Sequence, residues 1–248
     1  MRLAGKVAVV TGGGSGFGAG IATKFVREGA RVLIADRDAP AGERVARTLG
    51  ENARSVCVDV ADAKDVATML DAAQQHFGGV HILVNNAGIG HAPQPMEELA
   101  EDQFDRIVAV NMKAIYLAMR EVVPRFKAQG SGVILNMAST AGVSPRPRLT
   151  WYNASKGWVI TATRSSAVEL APFGIRVVAL NPVAGETPLL KTFMGEDTPQ
   201  MRAKFLATIP LGRFSTPEDV GNAACYLCCD EASMITGVAL EVDGGRCI

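Results

Sequence analysis

The sequence predicts an α/β protein, a single-domain, doubly wound parallel sheet of about seven strands with helices on both faces. Short runs rich in β-branched residues alternate with longer stretches of helical spacing. Most of these runs are almost continuously apolar, as strands are when both faces of a parallel sheet are buried. No Pro/Gly/Ser-rich linker or internal repeat divides the 248 residues, which favours one domain over 1–248.

Seven segments are predicted as strands: 6–11 (KVAVVT), 31–36 (RVLIAD), 54–59 (RSVCVD), 81–86 (HILVNN), 132–137 (GVILNM), 175–180 (IRVVAL) and 237–245 (GVALEVDGG). Among the stretches between them, 62–77 shows the clearest helical spacing. Its apolar residues fall on one face of a helix, namely Val66, Met69, Leu70, Ala73 and Phe77. Strand, helix and strand repeated in this way give right-handed crossovers.

The segment 183–215 interrupts this rhythm. It carries prolines at 188, 199 and 210, has glycines at 185 and 195, and follows the end of the sixth strand. In such folds a segment that follows the carboxyl end of a strand can cover the substrate, so we predict that 183–215 is a substrate lid. A surface excursion without function is the alternative.

Composition excludes several classes of protein. Twenty-five basic and 25 acidic residues balance, so we expect no nucleic-acid partner. No signal-peptide pattern or membrane-spanning stretch is recognisable, and we expect a cytoplasmic protein with no membrane partner. Cys225 and Cys228 form a CxxC inside a helical apolar pattern, with no second pair or nearby histidine. We therefore predict no metal site.

The first strand ends in the glycine-rich sequence TGGGSGFG, and a helix is predicted to follow it. Glycines at such a turn let the backbone approach a pyrophosphate, which the free N–H groups of the helix then bind. The spacing differs from the commoner GxGxxG pattern, so the turn alone is a weak indication. The cofactor residues predicted here are Thr11, Gly12, Gly14, Ser15, Gly16, Phe17 and Gly18.

Asp36 closes the second strand, about 20 residues after the glycine turn. A carboxylate there accepts hydrogen bonds from an adenosine ribose and repels a 2′-phosphate, so NAD is favoured over NADP. Arg37 follows directly and could bind a phosphate, which leaves the NADP alternative open. The other alternative is that Asp36 only ends the strand and binds no ribose. Asp59, with its neighbour Val60, is the next candidate, at the adenine edge.

Residues 150–158 read TWYNASKGW and resemble a helix start with Thr150 as its cap. Tyr152 and Lys156 are four residues apart and therefore share one face of that helix. A cation beside a phenol lowers the pKa of the phenol, which makes it an acid/base group near neutral pH. The alternative is a tyrosine that packs in the core beside a solvated lysine.

Taken in order, the motifs resemble those of the short-chain dehydrogenases/reductases, over essentially the whole chain from Lys6. They are the glycine turn at 11–18, Asp59, NNAG at 85–88, Asn111, Ser139 and the YxxxK motif at 152–156. The resemblance implies a Rossmann-type fold and hydride transfer between NAD and a secondary or aromatic alcohol, ketone or aldehyde. It also implies a homotetramer joined through the helices of Asn111 and Lys156 and the last strand.

The resemblance also implies roles for individual residues. Tyr152 is the acid/base group, Lys156 depresses its pKa and holds the nicotinamide ribose, and Ser139 bonds the substrate oxygen. Asn111 anchors a water in the proton path. The further cofactor residues implied are Asn85, Ala87, Gly88, Pro182 and Thr187. Two features depart from the family: Val183 replaces a common glycine, and the carboxylate of Glu186 has no evident role.

The substrate pocket is predicted from residues of mixed character. They are Ser139, Ala141, Val143, Arg146, Trp151, Val183, Ala184, Phe193 and Met194. The aromatic members suit an apolar or aromatic group. Arg146 and Arg148 suit a carboxylate or sulfonate, unless they are solvated surface arginines.

Three other functions fit the same motifs. One is an NADPH-dependent 3-oxoacyl-carrier-protein reductase, against which Asp36 argues. Another is a sensor that binds NAD(H) without turnover, against which the complete set of catalytic residue types argues. The third is a dehydratase or epimerase on the same fold.

Overall fold

A computed structural model describes residues 1–248. Sixteen elements alternate along it: β1 (Val7–Thr11), α1 (Gly16–Arg27), β2 (Arg31–Asp36), α2 (Ala39–Leu49), β3 (Ala53–Cys57), α3 (Ala63–Phe77), β4 (Ile82–Asn85), α4 (Glu101–Val108), α5 (Ala114–Gln129), β5 (Gly132–Met137), α6 (Thr150–Leu170), β6 (Ile175–Pro182), α7 (Pro188–Met194), α8 (Pro199–Leu206), α9 (Pro217–Cys228) and β7 (Ala239–Val242). A short π-helical turn, Ala109–Lys113, joins α4 to α5.

All seven strands form one parallel sheet in the order β3-β2-β1-β4-β5-β6-β7. This confirms the predicted doubly wound α/β fold. The strand order reverses between β1 and β4, so the connections that leave these two strands diverge and open a crevice at their carboxyl ends.

Helices cover both faces of the sheet. Alternate residues of β1 enter different cores, with Val10 on the side of α1 and α9 and Val9 on the side of α3 and α5. Phe25 of α1 and Phe126 of α5 are fully buried centres of the two cores. Burial on both faces explains why the strands read as continuous apolar runs.

The helix predicted over 62–77 is α3. Asp62 caps it by accepting the backbone N–H groups of Lys64 and Asp65 at 2.7 and 3.1 Å, and the left-handed Gly78 ends it at φ 83°. The prediction that Thr150 caps α6 is wrong, because Thr150 is the first helical residue and Leu149 occupies the cap position.

Helices α7 and α8 lie in the segment 183–215 and have a small core of their own. Its buried side chains are Val183, Leu190, Met194, Phe205, Ile209 and Phe214. The CxxC cysteines of α9 are packed in the main core. None of the helices combines the length and apolar character that crossing a membrane requires.

Candidate active site

A cavity of about 880 Å³ opens at the carboxyl ends of β1, β2, β4, β5 and β6. This is the edge at which ligands bind in open α/β sheets. Its volume lies toward the upper end of the range for small-molecule sites, roughly 300–1,000 Å³. One end is walled by the glycine turn and β2, and the other by the start of α6 and the segment 183–215.

The glycine turn between β1 and α1 forms part of the cavity wall. Gly12 and Gly16 have φ values of 62° and 51°, which side-chain-bearing residues rarely adopt. Gly12, Ser15, Gly16 and Phe17 line the cavity. The side chain of Ser15 makes no capping hydrogen bond, and α1 has no acidic residue in its first turn. The first turn of α1 therefore offers unpaired N–H groups and no negative charge.

Thr11, Gly14 and Gly18 support the turn from outside the cavity. The Thr11 hydroxyl accepts the backbone N–H groups of Asn86 and Ala87, both at 3.0 Å, and so ties β1 to the end of β4. A Cβ at Gly18 would overlap the carbonyl oxygen of Gly12. Only glycine at position 18 allows this close packing.

Asp36 lines the cavity beside Arg37, Asp59 and Val60. Its two carboxylate oxygens accept the backbone N–H groups of Gly14 at 2.9 Å and Asp38 at 3.0 Å. These bonds fix the carboxylate next to the glycine turn, and each oxygen keeps a further lone pair for a ligand hydroxyl.

The end of β4 corrects one prediction. The Asn85 side chain turns away from the cavity and donates to Asn136 Oδ1 at 2.9 Å, whereas Asn86 lines the cavity together with Ala87 and Gly88. The Asn86 amide donates to the carbonyl oxygens of Thr11 at 2.8 Å and Gly12 at 3.1 Å. Asn86 is the first residue after β4, and its side chain, rather than that of Asn85, faces the cavity.

Tyr152 and Lys156 share the inner face of α6, and both line the cavity with Ser139. They are only 6% and 5% exposed. Lys156 Nζ lies 5.8 Å from the centre of the Tyr152 ring and donates to the Met137 carbonyl oxygen at 2.8 Å. The Ser139 hydroxyl accepts the backbone N–H of Ala141 at 3.1 Å, which holds it at the end of β5.

The pKa of Tyr152 is shifted in the direction opposite to the prediction. Burial raises the pKa of Tyr152 to about 12, and the hydrogen bond from Ser139 opposes the shift. Burial lowers the pKa of Lys156 to about 8. Desolvation of the phenol therefore outweighs the expected lowering of its pKa by Lys156.

Asn111 lies in the π-helical turn, behind the cavity wall. Its side chain exchanges two hydrogen bonds with Ile89, both at 2.9 Å, and donates to Ser155 Oγ at 3.0 Å. It thereby links the loop after β4 to α6. Turns of this kind are frequent at functional sites, but the sequence pattern gave no sign of it.

The wall also contains seven further residues that were predicted for cofactor or substrate binding: Ala141, Arg146, Pro182, Val183, Ala184, Thr187 and Phe193. The Phe193 ring packs against Tyr152 at 4.8 Å between centres. A Cβ on Gly16 would come within 3.1 Å of Thr187, so the segment 183–215 closes directly over the glycine turn.

Three predicted substrate residues lie elsewhere. Trp151 donates to the Met96 carbonyl oxygen at 3.0 Å and packs edge-on against Phe104. Met194 is buried in the small core of 183–215, and Val143 is exposed. Glu186, whose role was open, is an exposed residue outside the cavity.

Among the lining residues that were not predicted are Ile89, Leu149, Leu190 and Phe205. Phe205 comes from α8, more than 50 residues from Tyr152 in sequence. No local pattern marks such residues, because tertiary packing alone brings them to the wall.

The cavity fits a dinucleotide. The glycine turn can bind a pyrophosphate, Asp36 can accept ribose hydroxyls, and Tyr152 and Lys156 lie at the far end. A Cβ at Gly88 would come within 3.4 Å of Lys156 Nζ, so glycine at this position leaves space beside that amine.

The known proteins to which this chain is similar are dehydrogenases and reductases. The family model described as enoyl-(acyl carrier protein) reductase matches residues 12–246. The 4-formylbenzenesulfonate dehydrogenase of Comamonas testosteroni is 48% identical over 250 residues, with 99% of each chain covered. The cis-4-hydroxycyclohexanecarboxylate dehydrogenase of Sinomonas cyclohexanicum is 38% identical, with 97% of this chain and 96% of the relative covered.

Among solved structures, the chain resembles a 3-ketoacyl-(acyl-carrier-protein) reductase from Brucella melitensis complexed with NADH. The two share 54% identity and a TM-score of 0.95, over 99% of this chain and 100% of the other.

Proposed function

The chain belongs to the short-chain dehydrogenase/reductase family, and we propose that Tyr152, Lys156 and Ser139 carry its reaction. As the sequence predicted, it is an NAD-dependent oxidoreductase that interconverts an alcohol and a carbonyl compound. The observation that carries the proposal is the buried Tyr152 and Lys156 pair in the wall of a cavity whose other end holds the glycine turn and Asp36.

Tyr152 moves the proton. In the oxidative direction the phenolate takes the hydroxyl proton of the alcohol, and in the reductive direction the phenol returns it to the carbonyl oxygen. Bound NAD supplies the acceptor for the hydride that leaves the alcohol carbon. Ser139 donates a hydrogen bond to the same oxygen and stabilises its developing charge.

Lys156 holds positive charge beside the reacting oxygen. Its ammonium is already bonded to the Met137 carbonyl oxygen, so its position is fixed before substrate enters. A fixed cation favours the phenolate of Tyr152 and compensates for part of the cost of its burial. Asn111 anchors the loop after β4 to α6 and, in this proposal, holds a water that connects Lys156 to solvent.

The cofactor residues proposed are those predicted at the glycine turn, at Asp36 and Asp59, and after β4 and β6. Asn86 replaces Asn85 among them, because its side chain is the one in the cavity wall. Thr11, Gly14 and Gly18 act by shaping the turn. NADP is the less favoured cofactor, because the charge of Asp36 repels a 2′-phosphate.

The substrate proposed is a small aromatic or cyclic alcohol or the corresponding carbonyl compound. Phe193 and Phe205 line the substrate end of the cavity and provide flat apolar surface. Residues 183–215 serve as the lid of a single domain, since their small core packs separately from the two main cores.

We also propose a cytoplasmic homotetramer. Apolar side chains on neighbouring helices are exposed in the single chain, including Tyr116 of α5 (55%) and Val168 of α6 (80%). A second copy that packs there would bury them. Light scattering coupled to size-exclusion chromatography tests this, and a monomer at micromolar concentration would contradict it.

The function is tested by NADH formation from a panel of benzylic, secondary and polyol alcohols, with NAD and NADP in parallel. We expect turnover with NAD on benzylic or cyclic alcohols and at most weak turnover with NADP. Preference for NADP, or no turnover on any alcohol or carbonyl compound while NADH binds tightly, would contradict the proposal. The latter result would favour the sensor.

A carrier-protein reductase is the second candidate, because the Brucella melitensis relative is described as one. Reduction of acetoacetyl thioesters with NADH, measured beside reduction of benzaldehydes, separates the two. A much larger kcat/KM for the thioester would favour the second candidate.

A further inference from the structure

Arg146 is a half-buried cation in the wall of the substrate end of the cavity. Its guanidinium lies over the Phe205 ring at 4.3 Å and donates one hydrogen bond, to Thr208 Oγ1 at 3.2 Å. The donor fork of an arginine holds several further N–H groups, and none of them has a partner in the chain. Two contacts thus position a charged group that still has donors free.

No carboxylate neutralises this charge. The ion pairs of the chain involve other arginines and lysines, and neither Arg146 nor the nearby Arg246 takes part in one. Arg246 donates to Ser144, and its buried Nε has no partner. Burial and the charge of Arg246 lower the pKa of Arg146 to about 10, which leaves it a cation at neutral pH.

The neighbouring Arg148 differs from Arg146 in its exposure, its position and its hydrogen bonding. It is exposed, lies outside the cavity wall and makes no side-chain hydrogen bond. The sequence could not separate the two arginines. The structure places one of them in the cavity with its charge uncompensated and leaves the other in solvent.

We propose that Arg146 forms an anion-binding subsite, which selects substrates that carry a carboxylate or sulfonate at the end opposite the reacting oxygen. The proposal rests on the dehydrogenase function given above and specifies its substrate class. A planar guanidinium fork matches both anions, and a partly desolvated cation without a protein partner gains most from a ligand that supplies the missing charge.

The lining of the cavity suggests the shape of the ligand. Phe193 packs on Tyr152, and Phe205 packs under Arg146, so aromatic surface accompanies both the reacting group and the cation. A six-membered ring with its oxygen function and its anion at opposite ends fits this arrangement. The two relatives named above are described as acting on such compounds, 4-formylbenzenesulfonate and cis-4-hydroxycyclohexanecarboxylate.

The test compares two alcohols of similar shape, 4-(hydroxymethyl)benzoate and uncharged 4-methylbenzyl alcohol, in wild type, Arg146→Gln and Arg146→Lys. We expect Arg146→Gln to lower the ratio of kcat/KM for the carboxylate to that for the neutral alcohol by roughly 10- to 100-fold, mainly through KM. Arg146→Lys keeps the charge without the fork, so its ratio should be intermediate. Arg148→Gln is the matched control and should behave as wild type.

Calorimetric binding of 4-methylbenzoate to the NADH-bound protein gives a second readout that needs no turnover. We expect Arg146→Gln to weaken this binding at least tenfold. An unchanged ratio together with unchanged binding would overturn the subsite, even if both alcohols are good substrates. Absence of turnover on both alcohols in wild type would contradict the proposed aromatic substrate instead, and the calorimetry would still decide the subsite.

Discussion

The two ends of the cavity are built in different ways. At the cofactor end, backbone groups and short side chains at the carboxyl ends of β1, β2 and β4 form the wall. They are connected by hydrogen bonds that the Thr11 hydroxyl and the Asp36 carboxylate accept and that the Asn86 amide donates. At the substrate end, long side chains from α6, α7 and α8 form the wall. Their positions depend on the small core of 183–215.

This difference separates cofactor binding from substrate binding. Hydrogen bonds to neighbouring strands fix the positions of strand ends. The geometry of a binding surface made of strand ends therefore changes little when surface segments change. A small core held by six buried side chains can change its shape without disturbing the sheet. The fold can therefore keep one cofactor while its substrate varies.

The largest expected effect comes from truncating one methionine under the sheet and, for comparison, one in the small core of 183–215. Met69→Ala opens a cavity under the sheet, where the side chain is fully buried, and should lower the free energy of unfolding by about 2–5 kcal/mol. Met194→Ala loosens only the small core, so it should raise KM for the alcohol and leave the Kd of NADH within about twofold. Chemical denaturation measures the change in stability, steady-state kinetics the KM, and NADH fluorescence titration the Kd. An equal loss of NADH affinity in both variants would contradict the separation.

Gly18→Ala should damage the cofactor end in particular. The new Cβ would collide with the backbone of Gly12 and displace the turn, at a cost of about 1–3 kcal/mol in stability and a clear loss of NADH affinity. Gly79→Ala is the matched control, because its Cβ would meet nothing closer than Gln74 Oε1 at 4.0 Å. If both variants bind NADH equally well, the tight turn is not needed for the cofactor.

Much of the cofactor end could be predicted from the sequence, because strand ends and glycine turns leave local patterns. Less of the substrate end could, and the errors have physical causes. Trp151 precedes Tyr152 on α6, and consecutive helical residues point about 100° apart. Tyr152 points into the cavity, whereas Trp151 contacts Met96 and Phe104. Met194 likewise follows Phe193 on α7 and packs into the small core, whereas Phe193 lines the cavity. Phe205 reached the wall through packing of α8, which no spacing rule foresees.

The Lys156 side chain at the boundary of the two ends gives a pH prediction. Its folded pKa, about 8, lies below the 10.5 of an unperturbed lysine, so above pH 8 the unfolded chain holds a proton that the folded chain has released. Stability attributable to Lys156 should therefore rise with pH, by up to about 2 kcal/mol between pH 8 and 9.5. Wild type and Lys156→Met, compared by denaturation across this range, isolate the effect. A difference that falls with pH would contradict the burial of the amine.

The smallest effect expected is on cofactor choice. Asp36→Ala removes the charge that repels a 2′-phosphate and should lower the NAD-to-NADP ratio of kcat/KM by about tenfold. Asp36→Asn keeps an oxygen that can accept the Gly14 N–H but loses the charge, so it should show most of the same change. An unaltered ratio in both variants would show that Asp36 serves only the turn.

The proposed chemistry is tested most directly by Tyr152→Phe, assayed for turnover and for NADH binding on the same preparation. The substitution removes the hydroxyl that moves the proton and keeps the ring against Phe193. We predict that turnover of the best alcohol falls by roughly 10²- to 10⁴-fold while the Kd of NADH stays within about twofold. Turnover close to that of the wild type would contradict the assignment of Tyr152 as the acid/base group.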